Sequence, residues 1–180
     1  MTAAFKSWVH VPSFRAFIVA AAVALHGLVA GAQPVSQVVV IDGLVKSALT
    51  VDAAALATSP AADVVQFQQS RTAQGVATSS TVRGVRLASL IERAGLLSSD
   101  RNEWKTLVVI ATATDGYRAV FSWLELTNTA VGDGVLVLFE RDGRPLDDHE
   151  GRIALISNAD RRAGPRYVRN LARVEIRALN

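Results

Sequence analysis

The sequence predicts an α+β domain, a β-rich mixed sheet with short helices. Short runs rich in Val, Ile, Leu and Phe recur along the chain and are separated by Asp-Gly pairs, which is the pattern of strands joined by turns. Helical spacing of apolar residues is confined to brief stretches, so the helices are expected to be few and short.

The first 32 residues have the three parts of a secretory signal peptide. Lys6 and Arg15 precede every acidic residue, and the apolar run Phe17–Leu25 follows. The segment 28–32 (LVAGA) ends in an Ala-x-Ala arrangement of small residues. The apolar run is shorter than the roughly 20 residues that span a bilayer core, and the small residues suit a signal peptidase. We expect cleavage after Ala32 and therefore a periplasmic or secreted protein; an uncleaved N-terminal anchor helix is the alternative.

Residues 33–180 have the length and even composition of one domain, large enough to bury a core without disulfides. Removing the leader lowers the formal net charge from +3 to +1. That charge gives little electrostatic support for nucleic-acid binding. We expect no nucleic-acid partner and no membrane association after the leader is removed.

The residue inventory excludes several chemistries. Cysteine is absent, which excludes thiolate catalysis, zinc–thiolate sites and Cys-held iron–sulfur clusters. His149 is the only histidine beyond the leader, so a multi-histidine metal centre is excluded as well. The acidic stretch Asp147–Glu150 has no further ligands at metal spacing and predicts a solvated turn. No metal site is therefore predicted.

The first predicted elements are a strand and a short helix. Val35–Val45 opens with β-branched residues and predicts a strand that runs into a turn. A helix is predicted from Leu49 to near Pro60, with Thr50 as its N-cap and Asp52 at the positive end of its dipole.

The middle of the chain predicts a strand pair and a helix. Asp63–Gln69 and Gly75–Val82 are the two strands, joined by a polar loop at 70–72 and followed by a turn at 83–86. Leu87–Ala94 places its apolar residues on one face at i, i+3 and i+4, which is typical of an amphipathic helix.

The second half of the chain is dominated by strands. Trp104–Thr114 is a near-continuous apolar run that predicts a strand buried on both faces. Tyr117–Phe121 returns across an Asp-Gly turn to form a hairpin, and Ser122 can cap a helical turn. The remaining predicted strands are Val135–Glu140, Gly151–Ile156 and the alternating basic and apolar segments Arg166–Leu171 and Arg173–Ala178.

One segment, 161–167 (RRAGPRY), is densely cationic and aromatic. Planar guanidinium groups on a Gly-Pro loop can bind phosphate or carboxylate through paired donors. Tyr117 begins a returning strand, and Arg71 is expected in a loop. A solvated basic loop without a ligand is the alternative. The candidate anion-binding residues are Arg71, Tyr117, Arg161, Arg162 and Arg166.

Several segments occur in a familiar order: Ile41–Val45, Leu49–Leu56, Arg83–Leu96, Ala113–Leu126, Val135–Asp160 and Arg166–Ile176. This series resembles the oxidoreductase molybdopterin-binding domain family, the fold of sulfite oxidase and its bacterial relatives. The resemblance covers nearly the whole chain beyond the leader. It implies a compact sulfite oxidase-like α+β domain and a molybdopterin cofactor.

In the active enzymes of that family, a Cys thiolate ahead of the "GVxL" helix binds molybdenum. The corresponding stretch here, Gln66–Arg83, contains the polar residues at 68–71 but no Cys, and neither Ser nor Gln replaces a soft thiolate well. The resemblance thus implies an exported member of the fold without molybdenum redox catalysis, which binds an anionic small molecule or a partner protein in its cleft. Two alternatives stay open: an oxidoreductase subunit that holds molybdopterin without a Cys ligand, and a structural or interaction module.

Overall fold

The computed structural model describes residues 34–73, 76–162 and 164–179. The predicted leader, residues 1–32, lies outside these ranges. No helix within them has the length and apolar character needed to cross a membrane.

The strands are short, apart from one long pair in the middle of the chain. In chain order they are β1 (Val38–Gly43), β2 (Leu49–Asp52), β3 (Val64–Ala73), β4 (Val76–Arg86), β5 (Leu107–Ala113), β6 (Arg118–Ser122), β7 (Val135–Arg141), β8 (Arg144–Pro145), β9 (Ala154–Ser157) and β10 (Leu171–Ala178).

The helices contain between four and eight residues. They are α1 (Ala53–Ala57), α2 (Leu87–Ala94), α3 (Arg101–Trp104), α4 (Trp123–Asn128) and α5 (Ala130–Asp133), with a 3-10 turn at Gly164–Arg166. Short helices combined with mixed sheets confirm the predicted α+β class.

The strands form two sheets. The first has the order β2-β1-β10-β5-β6, in which β1 and β10 pair in parallel and the other pairs are antiparallel. The second has the order β3-β4-β7-β8, and β9 also pairs with β7. All pairs of the second sheet are antiparallel.

The apolar core has two parts. The larger cluster joins the first sheet, α2, α4 and one face of β7. The smaller cluster covers the other face of β7 and includes Leu136, Leu138 and Ile156. Residues Val135–Phe139 are therefore buried on both faces, as expected of an interior strand.

The helix predicted from Leu49 begins later than expected. Residues 49–52 form β2, which pairs with β1, and the helix occupies Ala53–Ala57. Its N-cap is Asp52, whose side chain accepts from the Ala55 N–H at 2.7 Å. The prediction of Thr50 as the cap is therefore wrong, because pairing with β1 holds Thr50 in an exposed extended strand.

The predicted loop at 70–72 and turn at 83–86 are also wrong. Both segments lie inside one antiparallel hairpin, whose register runs without a break from Val64 opposite Val85 to Ala73 opposite Val76. At Gly84 a Cβ atom would come within 2.8 Å of the Val137 carbonyl oxygen. Glycine is needed there for close packing against β7 rather than for a turn.

Other predictions of local structure are confirmed. Leu87–Ala94 is helical, Arg118–Ser122 pairs with Leu107–Ala113 as a hairpin, and the Ser122 side chain caps α4 through the Glu125 N–H. The predicted strand Trp104–Thr114 is shorter than expected because Trp104 belongs to α3. Only one face of β5 is fully buried, and the other is half-buried.

Candidate functional site

The Asp115-Gly116 hairpin turn and the 3-10 turn at Gly164–Arg166 are joined through Tyr117. The Tyr117 N–H donates to Asp115 Oδ1 at 2.8 Å, which closes the first turn. The Tyr117 hydroxyl donates to the carbonyl oxygen of Pro165, also at 2.8 Å. This bond fixes the Tyr117 ring beside the loop that the sequence marks as basic.

A cleft of about 280 Å³ lies at these two turns, lined by Asp115, Tyr117, Gly164, Tyr167 and Arg169. The Arg169 guanidinium lies over the Tyr167 ring, 5.5 Å from its centroid, where the face of the ring attracts a cation. The lining therefore offers two phenol rings and one guanidinium to a ligand. Asp115 contributes a carboxylate to the same lining.

Arg169 is a site residue that the sequence analysis missed. Its Nη1 lies 2.8 Å from His149 Nε2. Because a guanidinium can only donate, Nε2 must be the acceptor, and this contact ties the acidic stretch to the cleft. The available signal was the continuation of the basic, aromatic pattern past Tyr167.

Arg166 points away from the cleft and into a cluster of opposite charge. Its Nε donates to Asp160 Oδ2 at 2.8 Å, its Nη2 donates to Asp160 Oδ1, and its Nη1 donates to Glu125 Oε1 at 2.8 Å. The guanidinium also stacks 4.6 Å from the centroid of the buried Phe121 ring. Arg166 is therefore held by two carboxylates and does not line the cleft.

These contacts change the acidity of both partners. The hydrogen bond from Arg166 holds the pKa of Asp160 below its ordinary value, and it outweighs the opposing effect of burial. The hydrogen bond to Asp160 likewise raises the pKa of Arg166. The pair is therefore ionised at neutral pH, and it anchors the loop 160–166 to α4 through Glu125.

Arg161 and Arg162 are exposed on the same loop, directly after Asp160. Asp160 is itself fixed, because the Ser157 hydroxyl donates to its Oδ1 at 2.7 Å. Neither Arg161 nor Arg162 forms an ion pair or side-chain hydrogen bond with any residue that the structure describes. Their charges are thus open to a ligand or a partner beside the cleft.

Arg71 is not brought to the cleft. It lies on β3 opposite Thr78, in the part of the hairpin that extends past the β4–β7 pairing, which covers 82–86 of β4. β3 is an edge strand bonded to β4, whereas the cleft is built from the turns at 115–117 and 164–169. Tyr117 therefore lines the cleft, Arg161 and Arg162 come shortly before its Gly164 in the chain, and Arg71 lies on the edge strand of the other sheet.

The solvated turn predicted for Asp147–Glu150 is wrong for Glu150, which is 5% exposed. Its carboxylate pairs with Arg141 at 3.0 Å, and Arg141 also donates to the buried Gln69 at 2.9 Å and to Ser80. A hollow of about 350 Å³ adjoins this network. The guanidinium of Arg141 is engaged by three side chains, and the hollow is lined by the carboxylates of Asp142, Asp147 and Glu150. It is therefore a weaker anion site than the cleft.

The residues present do not fit the molybdenum centre that the resemblance implies. The family's thiolate loop was expected in the stretch Gln66–Arg83. Its described residues are paired strands, with 66–73 of β3 opposite 76–83 of β4. Phe67, in this stretch, packs against the smaller apolar cluster. Among the described residues, no three His, Cys, Asp or Glu side chains gather as a metal-binding group. We therefore derive no reaction step through this cofactor.

Comparison with known proteins relates this chain to others by fold. No protein-family model and no curated protein matches it. Among solved structures it is similar to the sulfane dehydrogenase SoxCD from Paracoccus pantotrophus, with a TM-score of 0.57 and 17% sequence identity. The similarity covers 79% of this chain and 39% of that chain, so this chain spans well under half of the matched protein. The likeness supports a distant similarity of fold between the two chains.

Proposed function

We propose that this protein is an exported, non-catalytic member of the fold that binds an anionic small molecule at the Tyr117–Arg169 cleft. The observation that carries the proposal is the pairing pattern of the arginines. Arg166 is neutralised by acidic residues of its own chain, whereas Arg161 and Arg162 have no acidic partner among the described residues. Unpaired guanidinium groups beside an aromatic cleft favour a ligand with phosphate or carboxylate oxygens.

The proposed binding is tested by titrating pyrophosphate into the purified protein and following the heat of binding. We expect saturable binding that weakens as salt is added, because exposed charges are screened. The double substitution Arg161→Ala/Arg162→Ala should weaken binding about tenfold or more, since each charge-assisted hydrogen bond contributes about 1.5–3 kcal/mol.

The matched control is Arg101→Ala/Lys105→Ala, which removes two exposed positive charges, one from α3 and one from its C-cap. It should leave pyrophosphate binding unchanged. Equal loss in both double variants would mean that overall charge, and not this loop, attracts the anion. Absence of binding to the unsubstituted protein would refute the small-anion proposal.

The alternative ligand is a partner protein with an acidic surface. Arg161 and Arg162 would bind it directly, because both are exposed and neither lines the cleft. A third proposal, an oxidoreductase subunit that holds molybdopterin without Cys, draws support from the fold shared with SoxCD. Metal and pterin analysis of protein purified from a molybdenum-replete host decides this point. Stoichiometric molybdenum would overturn the non-catalytic proposal.

Export is tested separately. If the leader is removed where we propose, the mass of the mature protein corresponds to a chain that begins at Gln33. Recovery of the intact chain in the membrane fraction would instead support the uncleaved anchor helix.

A further inference from the structure

Another cavity, of about 290 Å³, lies at the end of α2 and shares no lining residue with the Tyr117–Arg169 cleft. It is lined by Lys46, Glu92, Leu96, Ser98, Ser99, Trp104, Trp123 and Thr127. Its volume is near the lower end of the range for small-molecule sites, about 300 Å³. An amino acid or a molecule of similar size fits such a space.

The apolar wall of the cavity contains two tryptophans in a fixed arrangement. The rings of Trp104 and Trp123 meet edge to face, with centroids 6.5 Å apart and planes at 86°. The Trp104 indole N–H donates to the Ser98 carbonyl oxygen at 3.0 Å, which fastens the loop after α2 to α3. The wall is thus formed before any ligand arrives, which reduces the entropy lost on binding.

Trp123 is the more deeply buried of the two tryptophans. The residue is 2% exposed, and its indole N–H has no acceptor among the residues that the structure describes. A buried donor without an acceptor costs free energy. Because this nitrogen is itself buried, Trp123 meets the cavity through its ring and not through its N–H.

The rim of the cavity carries two opposite charges. The backbone N–H of Lys46 donates to the Gly95 carbonyl oxygen at 2.7 Å, which places Lys46 beside the end of α2. Glu92 is in the last turn of the same helix. Both side chains are exposed, and neither forms an ion pair or side-chain hydrogen bond with any described residue. The two charges are therefore available to a ligand at one cavity.

We propose that this cavity binds a small zwitterion with an aromatic body, such as a free aromatic amino acid. Lys46 would contact the carboxylate, Glu92 the ammonium group, and the two indole rings the apolar body. A neutral apolar ligand would leave both rim charges unused, and a ligand with one charge would leave the other unpaired. This inference is independent of the anion-binding proposal because the two sites share no residue.

The two tryptophans provide a direct readout. The remaining tryptophan of the sequence is Trp8, so in the full chain carrying Trp8→Phe the tryptophan emission, excited selectively over tyrosine, comes from Trp104 and Trp123 alone. We expect L-phenylalanine to change this emission saturably. Phenethylamine, which lacks the carboxylate, and 3-phenylpropionate, which lacks the ammonium group, should each bind more weakly, by up to about fivefold, since one surface charge contact contributes up to about 1 kcal/mol.

Two rim variants test the assigned contacts. Lys46→Met should weaken L-phenylalanine and 3-phenylpropionate but not phenethylamine, and Glu92→Gln should weaken L-phenylalanine and phenethylamine but not 3-phenylpropionate. Lys105→Met and Asp148→Asn remove exposed charges that do not line the cavity and should change nothing. Absence of a saturable response to L-phenylalanine would overturn the proposal, as would equal binding of all three compounds.

Discussion

Arg166 donates to both carboxylate oxygens of Asp160, and this pair fastens the basic loop to the body of the domain. Both side chains are mostly buried, at 23% and 14% exposure. Replacing Arg166 by Met removes the cation and leaves Asp160 and Glu125 without their common partner. We expect a loss of about 2 kcal/mol in the free energy of unfolding, measured by urea denaturation.

Arg177→Met is the matched control for that experiment, because Arg177 is 58% exposed in its pair with Glu175. An exposed pair of this kind contributes less than about 1 kcal/mol. Similar losses in the two variants would contradict the anchoring role of Arg166.

The same pair predicts how stability depends on pH. The folded-state pKa of Asp160 lies below its ordinary value of 3.8, so the unfolded chain binds this proton more tightly than the folded one. The stabilisation is complete above about pH 4 and is lost as the pH falls through the folded-state pKa. Urea denaturation between pH 3 and pH 6 should therefore show a shallower acid loss in Asp160→Asn than in the unsubstituted protein. Parallel slopes would contradict the assignment.

Glu150 is expected to stabilise the second sheet. Glu150→Gln keeps the size of the side chain but removes the charge that faces Arg141, which is 20% exposed. Leaving one partner of a largely buried pair uncompensated costs about 3 kcal/mol. Asp148→Asn, in the same acidic stretch, alters an exposed pair with Arg152 and should cost less than about 1 kcal/mol. Equal losses of unfolding free energy in the two variants, measured by thermal or urea denaturation, would contradict the buried ion pair and favour a solvated Glu150.

Gly84 tests the packing between β4 and β7. An added Cβ would meet the Val137 carbonyl oxygen at 2.8 Å and Leu138 Cδ2 at 2.9 Å, so Gly84→Ala should cost about 2 kcal/mol or more. The control is Gly164→Ala, where nothing lies within 4 Å of the added atom. A fully stable Gly84→Ala protein would contradict the observed strand pairing.

Gly84 also shows where sequence reasoning about the fold ends. The helix Leu87–Ala94 and the turn at Asp115-Gly116 were predictable, because spacing and turn residues specify them locally. Gly84 has the same local appearance as a turn glycine, yet its role is set by β7, more than 50 residues later in the chain. Thr50 and Asp52 differ in the same way, since only the pairing of β2 with β1 decides which of them caps the helix.

The site was predictable to a similar degree. The sequence marked Tyr117 and the segment 161–167, and the structure joins Tyr117 to Pro165 of that segment. The sequence could not show that Arg166 is already neutralised, because one of its partners is Glu125, which is 41 residues away along the chain. Arg71 was predicted in a loop but lies in strand β3. The fold therefore does not bring it near the other candidate anion-binding residues.

His149 and Arg169 make a contact that fixes the chemical form of the imidazole. Arg169 lines the cleft, and its Nη1 lies 2.8 Å from His149 Nε2. Since the guanidinium has only N–H donors, neutral His149 must carry its proton on Nδ1. Nitrogen-detected NMR at pH 8 should show a protonated Nδ1 and a bare Nε2, and Arg169→Met should reduce that preference. A proton on Nε2 in the unsubstituted protein would mean that His149 does not hold Arg169 at the cleft, and a His149→Ala variant would then bind pyrophosphate as the unsubstituted protein does.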